Sequence, residues 1–192
     1  MTIIGIILAA GTSKRMGRPK ALLDLNGKTF IRAIVDNHTA AGIEQIVVVL
    51  GDHAEEIGNE IKPLNVITAY NKEYLSGQLS SVHAGIKAVE QFSPDAILLH
   101  PVDHPLILPV TIKRLINSFI ETETPIVVPV QQKRRGHPVI FASSLFPELL
   151  SAPQDIGARF VVRNHPAEIT EVETGDPGIF MNIDTPEAYE NI

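Results

Sequence analysis

The sequence predicts a three-layer α/β/α fold on a mixed, Rossmann-like sheet whose strands are mostly parallel. Three observations carry that prediction. Short, near-continuous apolar runs such as "IIGIILA" and "QIVVVLG" read as strands buried on both faces. Amphipathic stretches of helical period separate these runs, as a series of βαβ units requires. Late in the chain, "PIVVPV" and "HPVIFA" flank the turn "QQKRRG", which adds an antiparallel pair to an otherwise parallel sheet.

Taken in order, Ile3–Ala9 is the first strand. Thr29 to Ala41 follows as a helix with Phe30, Ile31, Ile34, Val35 and His38 on one side, and Gly42 stops it. Gln45–Gly51 is the second strand and Asp52–Ile61 the next helix. Asn65–Tyr70 is the third strand, followed by a helix over Ser80–Phe92 that a serine caps. Asp95–Val102 is the fourth strand, and Pro109 opens a helix that runs to about Glu121. Strands at Pro125–Val130 and His137–Ala142 come next. Short helices near Leu145–Leu150 and Gly157–Asn164 and two late strands complete the expectation.

Composition sets the limits. A chain of 192 residues reads as one domain, residues 1–192. At that size roughly 70% of the unfolded surface can be buried, so no staple is needed. There is no cysteine, which excludes thiolate zinc sites, thiol nucleophiles and disulfides and fits a cytoplasmic location. The apolar start "MTIIGIILAAG" lacks the basic region of a signal peptide and is too short to span a bilayer. No membrane partner is expected. A net charge of −6, no tryptophan and 5% aromatic residues argue against a nucleic-acid partner.

Against that acidic background, "LAAGTSKRMGRPK" places Lys14, Arg15, Arg18 and Lys20 in one short loop. In such sheets ligands bind outside the carboxyl ends of the strands. That rule gathers the first loop, "GQLSS" after the third strand and "VDHP" after the fourth at one edge. The first loop matches neither the Walker A nor the G-x-G-x-x-G pattern, yet its chemistry suits phosphate. The small residues Ala9, Ala10 and Gly11 let backbone N–H groups come close to an anion, and Thr12 and Ser13 add hydroxyls. Arg15 offers a planar fork and Lys20 a point charge. A solvated basic turn is the competing reading of the charges alone.

The string L-A-A-G-x-S-x-R-M-G-x-x-K over Leu8–Lys20 resembles the signature of nucleotidyltransferases of the nucleotide-diphospho-sugar transferase (glycosyltransferase-A-like) fold. In particular it resembles the molybdenum cofactor cytidylyltransferase group of MobA-like NTP transferases. Five further segments follow in the family's order: "GQLSSVHAGI", "PVDHPL", "RRGHPVIF", "DIGARFVV" and "NIDTPEAY". The first of these, "GQLSSVHAGI", carries Leu79 where the family usually has a small or hydroxyl residue.

The resemblance implies a site. Leu8 to Ser13, Arg15, Lys20, Gly77, Gln78, Ser80 and Ser81 would bind the nucleotide. Asp103 and Asp184 would hold Mg²⁺, with Asn182 as the alternative to Asp184. His104, Arg135, Gly136 and His137 would face the acceptor, and Arg15, Lys20 and Asp103 would form the catalytic set. Local readings compete: Asp103 as a loop aspartate, Asp184 as a helix cap, His100 as a strand residue rather than a zinc ligand, Lys14 and Arg18 as solvated. The implied activity transfers a nucleotide from an NTP to a phosphorylated acceptor of molybdopterin type, with a molybdenum hydroxylase as client. "LAAG" resembles the family's pyrimidine users rather than its guanylyltransferases, which typically show "LAGG", so the resemblance implies CTP over GTP. The alternatives are a guanylyltransferase of the same pathway, a sugar- or polyol-phosphate nucleotidyltransferase, and a non-catalytic cofactor-binding accessory protein.

Overall fold

The computed structural model describes residues 1–192. Strand β1 (Ile3–Ala9) leads through a 3-10 turn and a small hairpin, β2 (Asp24–Leu25) and β3 (Lys28–Thr29), into helix α1 (Phe30–Ala40). Then come β4 (Gln45–Leu50), α2 (Ala54–Ile61), β5 (Ile67–Tyr70), α3 (Gln78–Val89), β6 (Ala96–Pro101) and α4 (Pro109–Thr122). The second half contains β7 (Ile126–Gln131), β8 (Arg134–Arg135), β9 (Val139–Ala142), α5 (Phe146–Ser151), α6 (Arg159–Asn164), β10 (Ile169–Glu173) and α7 (Pro186–Glu190).

The main sheet runs β10-β7-β9-β6-β1-β4-β5, with β8 paired to β7. All its pairings are parallel except those of β9 with β6 and β7 and of β8 with β7. The antiparallel addition therefore lies inside the sheet rather than at its edge.

The period-2 geometry of strands sorts the apolar residues into two layers. Ile7, Ala9, Val48, Leu50 and Leu98 pack with Ile31, Ile34, Ile57, Ile61, Leu115 and Phe119 of α1, α2 and α4. Ile4, Ile6, Leu8, Val47, Val49 and Leu99 face the other way, onto Leu79, Val82, Ile86, Leu149 and Val161 of α3, α5 and α6. A third, small cluster joins Met16, Leu23, Phe30 and Ile183, with Tyr189 packed against it. It pins the first loop to the C-terminal tail.

Several sequence expectations need correction. Thr29 lies outside α1 as its N-cap, its hydroxyl accepting from Arg32 N–H. The third helix begins at Gln78 and its cap is Gly77, not a serine. Gly77 has φ +107°, a conformation that disfavours a side chain. The late segment after β10 is a 3-10 turn at Pro177–Phe180, so there is one late strand and not two. The β2–β3 hairpin was not expected from the sequence, because two-residue strands carry no period.

Candidate active site

In the order β6-β1-β4-β5 the parallel strands are added on one side of β1 as far as β5 and then on its other side at β6, so the winding switches at β1. Such switch points open a crevice at the carboxyl ends of the strands. A cleft of about 480 Å³ lies there, lined by Leu8 to Arg15, Lys20, Gly77, Gln78, Ser81, Pro101 to His104, His137, Arg159, Asn182 and Asp184, among others.

The first loop is shaped by its own hydrogen bonds. Ser13, at φ 49°, accepts from the N–H groups of Met16 and Gly17 through its carbonyl. Its hydroxyl accepts from Lys20 N–H at 3.0 Å. Gly17 takes φ +74° to turn the chain, a glycine conformation. A Cβ at Gly11 would meet nothing within 4 Å, so the backbone there borders open space.

Two ion pairs cross the cleft. Lys20 Nζ lies 3.1 Å from Asp103 Oδ2, and Arg15 Nη2 lies 2.7 Å from Asp184 Oδ2. The first pair is mostly shielded, with side chains 16% and 20% exposed; Arg15 is 73% exposed. Ile183 N–H donates to the carbonyl of Asp103 at 2.7 Å, which ties the Asp103 loop to the tail segment that carries Asp184 into the same cleft. Two carboxylates in one cleft offer the hard oxygen donors that a divalent cation takes, with phosphate oxygens and water to complete its shell. No group of three or more His, Asp or Glu side chains could enclose a metal, so any bound ion depends on the substrate for part of its shell.

Four histidines run from the cleft, at His104 and His137, into the core at His100 and His38. His100 Nε2 is 2.9 Å from the carbonyl of His104, and His38 Nε2 is 2.8 Å from His100 Nδ1. The carbonyl only accepts, so His100 donates through Nε2 and receives His38 N–H at Nδ1; both rings are neutral. Burial pushes His38 well below its ordinary value and His100 down to about 3. Burial also lowers His104, and His137 to about 4. His104 and His137 stack at 4.7 Å between ring centroids, and the Nδ1 of each is buried without a partner.

Stability depends on pH through the His38–His100 pair. Unfolded histidine binds a proton near pH 6.5 and the folded pair refuses it, so unfolding gains protons in acid. The pair's contribution is complete above pH 6.5 and declines toward pH 3, by up to about 1.4 kcal/mol per pH unit for each ring. Thermal unfolding of wild type and His38→Gln/His100→Gln between pH 7 and 4 is the check. A shallower decline in the variant is expected, and equal slopes contradict the assignment.

Most residues expected at the site line this cleft, with three exceptions. Ser80 is buried, its hydroxyl shared between the carbonyls of Gly77 (2.7 Å) and Glu73 (2.9 Å). It shapes the turn before α3 and does not line the cleft. Arg135 is held along β8, its Nε 2.7 Å from Glu171 of β10, because β8 pairs with the end of β7, the strand beside β10. Gly136 is not in the lining either; a Cβ there would lie 2.6 Å from the carbonyl of Ile179.

Lys14 and Arg18 are both exposed, as expected; Lys14 also borders the cleft, and the Arg18 guanidinium lies 5.2 Å from the centroid of Tyr189. Asn182 and Asp184 both line it, so the tail offers an amide and a carboxylate.

Two residues escaped the sequence reading. Buried Asn71 donates to Ser80 Oγ and Ser81 Oγ at 2.8 and 3.0 Å and accepts from Glu73 N–H at 2.9 Å. It locks "GQLSS" to the end of β5. Arg159 lines both the cleft and a neighbouring cavity of about 300 Å³ whose walls include Leu79, Val82, Val139 and Phe141. The G-A-R motif was its one available signal.

The sheet order, the cleft at its switch point and the loop that borders it are those of the nucleotide-diphospho-sugar transferase fold, the fold of nucleotidyltransferases. The chain belongs to the MobA-like NTP transferase domain family, whose model matches residues 5–169. It is 30% identical to "Nicotine blue oxidoreductase" of Paenarthrobacter nicotinovorans, over 96% of this chain and 93% of that protein. Identity to "Purine catabolism protein PucB" of Bacillus subtilis is 27%, over 99% and 95%. A "Probable molybdenum cofactor guanylyltransferase" of Bacillus cereus is 33% identical over 53% of this chain and 48% of its own. Among solved structures, Rv0371c of Mycobacterium tuberculosis superposes with a TM-score of 0.85 at 27% identity, covering 100% of this chain and 97% of that one. A manganese complex of Rv0371c superposes with a TM-score of 0.77 at 24% identity, covering 100% and 97%. No helix of the chain is long and apolar enough to cross a membrane.

Proposed function

We propose that residues 1–192 act as one Mg²⁺-dependent nucleotidyltransferase domain that moves CMP from CTP to a phosphorylated acceptor of molybdopterin type. One observation carries this reading: two carboxylates and two cations meet in the cleft at the sheet's switch point. Asp103 and Asp184 hold the metal, and Lys20, Arg15 and the N–H groups around Gly11 hold the triphosphate. When bound, the metal neutralises charge on the phosphate oxygens.

In the reaction an acceptor phosphate oxygen attacks the α-phosphorus, the α–β bridging P–O bond breaks, and pyrophosphate carries away the electron pair. The nucleophile is already ionised at neutral pH, so no general base is needed. The chain's part is positioning and charge stabilisation. His104 and His137, kept uncharged by burial, serve as neutral hydrogen-bonding groups and not as acids. The largely apolar cavity beside Arg159 suits the ring system of an acceptor whose phosphate Arg159 meets. Ile57, Tyr74 and Leu75 also line the cleft and offer apolar surface to the base.

The test is pyrophosphate release across a panel of NTPs with molybdopterin and sugar phosphates as acceptors. Release is expected with CTP and molybdopterin. Reduction of nicotine blue, which the name of one relative suggests, is the control reaction and is expected to be absent. GTP is the second reading, favoured by the similarity to a protein named as a guanylyltransferase. Mg²⁺-CTP is expected to raise the unfolding midpoint more than Mg²⁺-GTP at equal concentration, since only binding to the folded state stabilises it. Equal or reversed shifts remove the base assignment.

A further inference from the structure

The two ion pairs join groups with opposite future partners. Asp103 and Asp184 suit a metal, yet each is already held by a cation suited to phosphate. We propose that Lys20 and Arg15 are exchangeable counter-ions: when a divalent cation and a triphosphate arrive together, each side chain leaves its carboxylate for phosphate oxygens. The proposal rests on the nucleotidyltransferase reading and adds a thermodynamic rule to it. Metal and triphosphate bind with positive coupling, and neither binds well alone.

The charges require this. Without ligand, two carboxylates and two cations balance. A metal alone competes with Lys20 for Asp103 and leaves an unneutralised ammonium beside it. A triphosphate alone draws Lys20 away and leaves Asp103 facing phosphate oxygens with no cation between them. Each ligand removes the cost of the other, which is the content of coupling.

The geometry permits the exchange with little backbone movement. Lys20 is anchored by its own N–H on Ser13 Oγ at 3.0 Å, so its four-carbon stem alone carries Nζ from one partner to the other. Asp103 is fixed on both sides, by its carbonyl on Ile183 N–H (2.7 Å) and by His104 N–H on the carbonyl of Pro101 (3.1 Å).

The two pairs are unequal. Lys20–Asp103 is shielded, whereas Arg15 is 73% exposed, so water and salt screen its pair. The coupling therefore resides mainly in Lys20.

Two titrations on the full chain test this. The first is Mn²⁺ alone, followed by the electron paramagnetic resonance of the free ion. The second is preformed Mg²⁺–inorganic triphosphate by calorimetry, a probe independent of the base assignment. Lys20→Met is expected to tighten Mn²⁺ binding and to weaken Mg²⁺–triphosphate binding, each by a factor in the roughly 5–150-fold range of typical couplings. Arg15→Met should change Mn²⁺ affinity by less than about threefold, the size of a screened surface pair.

Opposite signs for Lys20→Met are the signature, because a purely structural ion pair would move both affinities the same way. Lys20→Gln, with a shorter neutral side chain, serves as the second variant should Lys20→Met fail to fold. Unchanged or weakened Mn²⁺ binding in the Lys20 variants overturns the exchange. If Asp103→Asn still loses Mn²⁺ affinity in that case, the metal reading survives. If Asp103→Asn leaves Mn²⁺ binding untouched, the metal reading and the exchange both fall.

Discussion

Asp103→Asn is expected to lower the rate of pyrophosphate release by at least about a hundredfold, the loss seen when one preorganised charge-stabilising group is removed. The fold should survive. Asn keeps the shape of the side chain, and the link to Ile183 runs through the backbone carbonyl of residue 103 rather than its carboxylate. The ion pair to Lys20 is partly open to water, at 16% and 20% exposure, so losing it costs on the order of 1 kcal/mol or less. The signature is a large kinetic loss with an almost unchanged unfolding midpoint. Turnover within threefold of wild type refutes the role of Asp103, and a collapsed midpoint would show that Asp103 is structural.

The largest stability effect is expected at Asp176. Its carboxylate is buried and accepts three hydrogen bonds: from Leu108 N–H at 2.8 Å, Thr111 Oγ at 2.7 Å and Gly178 N–H at 2.9 Å. One residue thus ties the first turn of α4 to the segment that carries the tail back to Asn182 and Asp184. Asp176→Ala leaves three donors in the interior without an acceptor. Each unsatisfied group costs about 1–3 kcal/mol, so a total loss of about 3 kcal/mol is a conservative expectation. For a chain of this size that lowers the unfolding midpoint by roughly 6–12 °C. Asp176→Asn restores one acceptor and is expected to fall between the two. A loss under 1 kcal/mol for the alanine variant contradicts this account of the buried carboxylate.

The layers of the fold were legible because burial on both faces leaves a local mark. β1, β4 and β6 are apolar along almost their whole length, and strand alternation then divides Ile6 from Ile7 without further information. Much of the cleft was legible for a related reason. Loops at the carboxyl ends of parallel strands converge by topology, so "LAAGTSKRMGRPK" and "PVDHPL" meet whatever their side chains do.

What stayed hidden depends on partners far away in sequence. Asn71 and Asp176 look like ordinary loop residues until they are placed against Ser80 and Ser81 or against Leu108 and Thr111. Arg135 follows the same logic in reverse. Beside "GHP" it looked like an acceptor contact, but its strand β8 pairs with β7 and delivers it to Glu171. Ser80 is spent on its own turn, while its neighbour Ser81 lines the cleft. One residue of register decides which hydroxyl a ligand can reach.

The central claim is that a metal–triphosphate complex sits between the first loop, Asp103 and Asp184. Backbone amide NMR with Mn²⁺ in place of Mg²⁺, in the presence of CTP, tests it most directly, since the paramagnetic ion broadens only nearby resonances. The account predicts selective loss of the amide signals of Gly11 to Arg15, of Asp103 and His104, and of Ile183 and Asp184, with the opposite end of the sheet around Gly42 to Gln45 unaffected. Broadening centred elsewhere, or none at concentrations where CTP raises the unfolding midpoint, would contradict it.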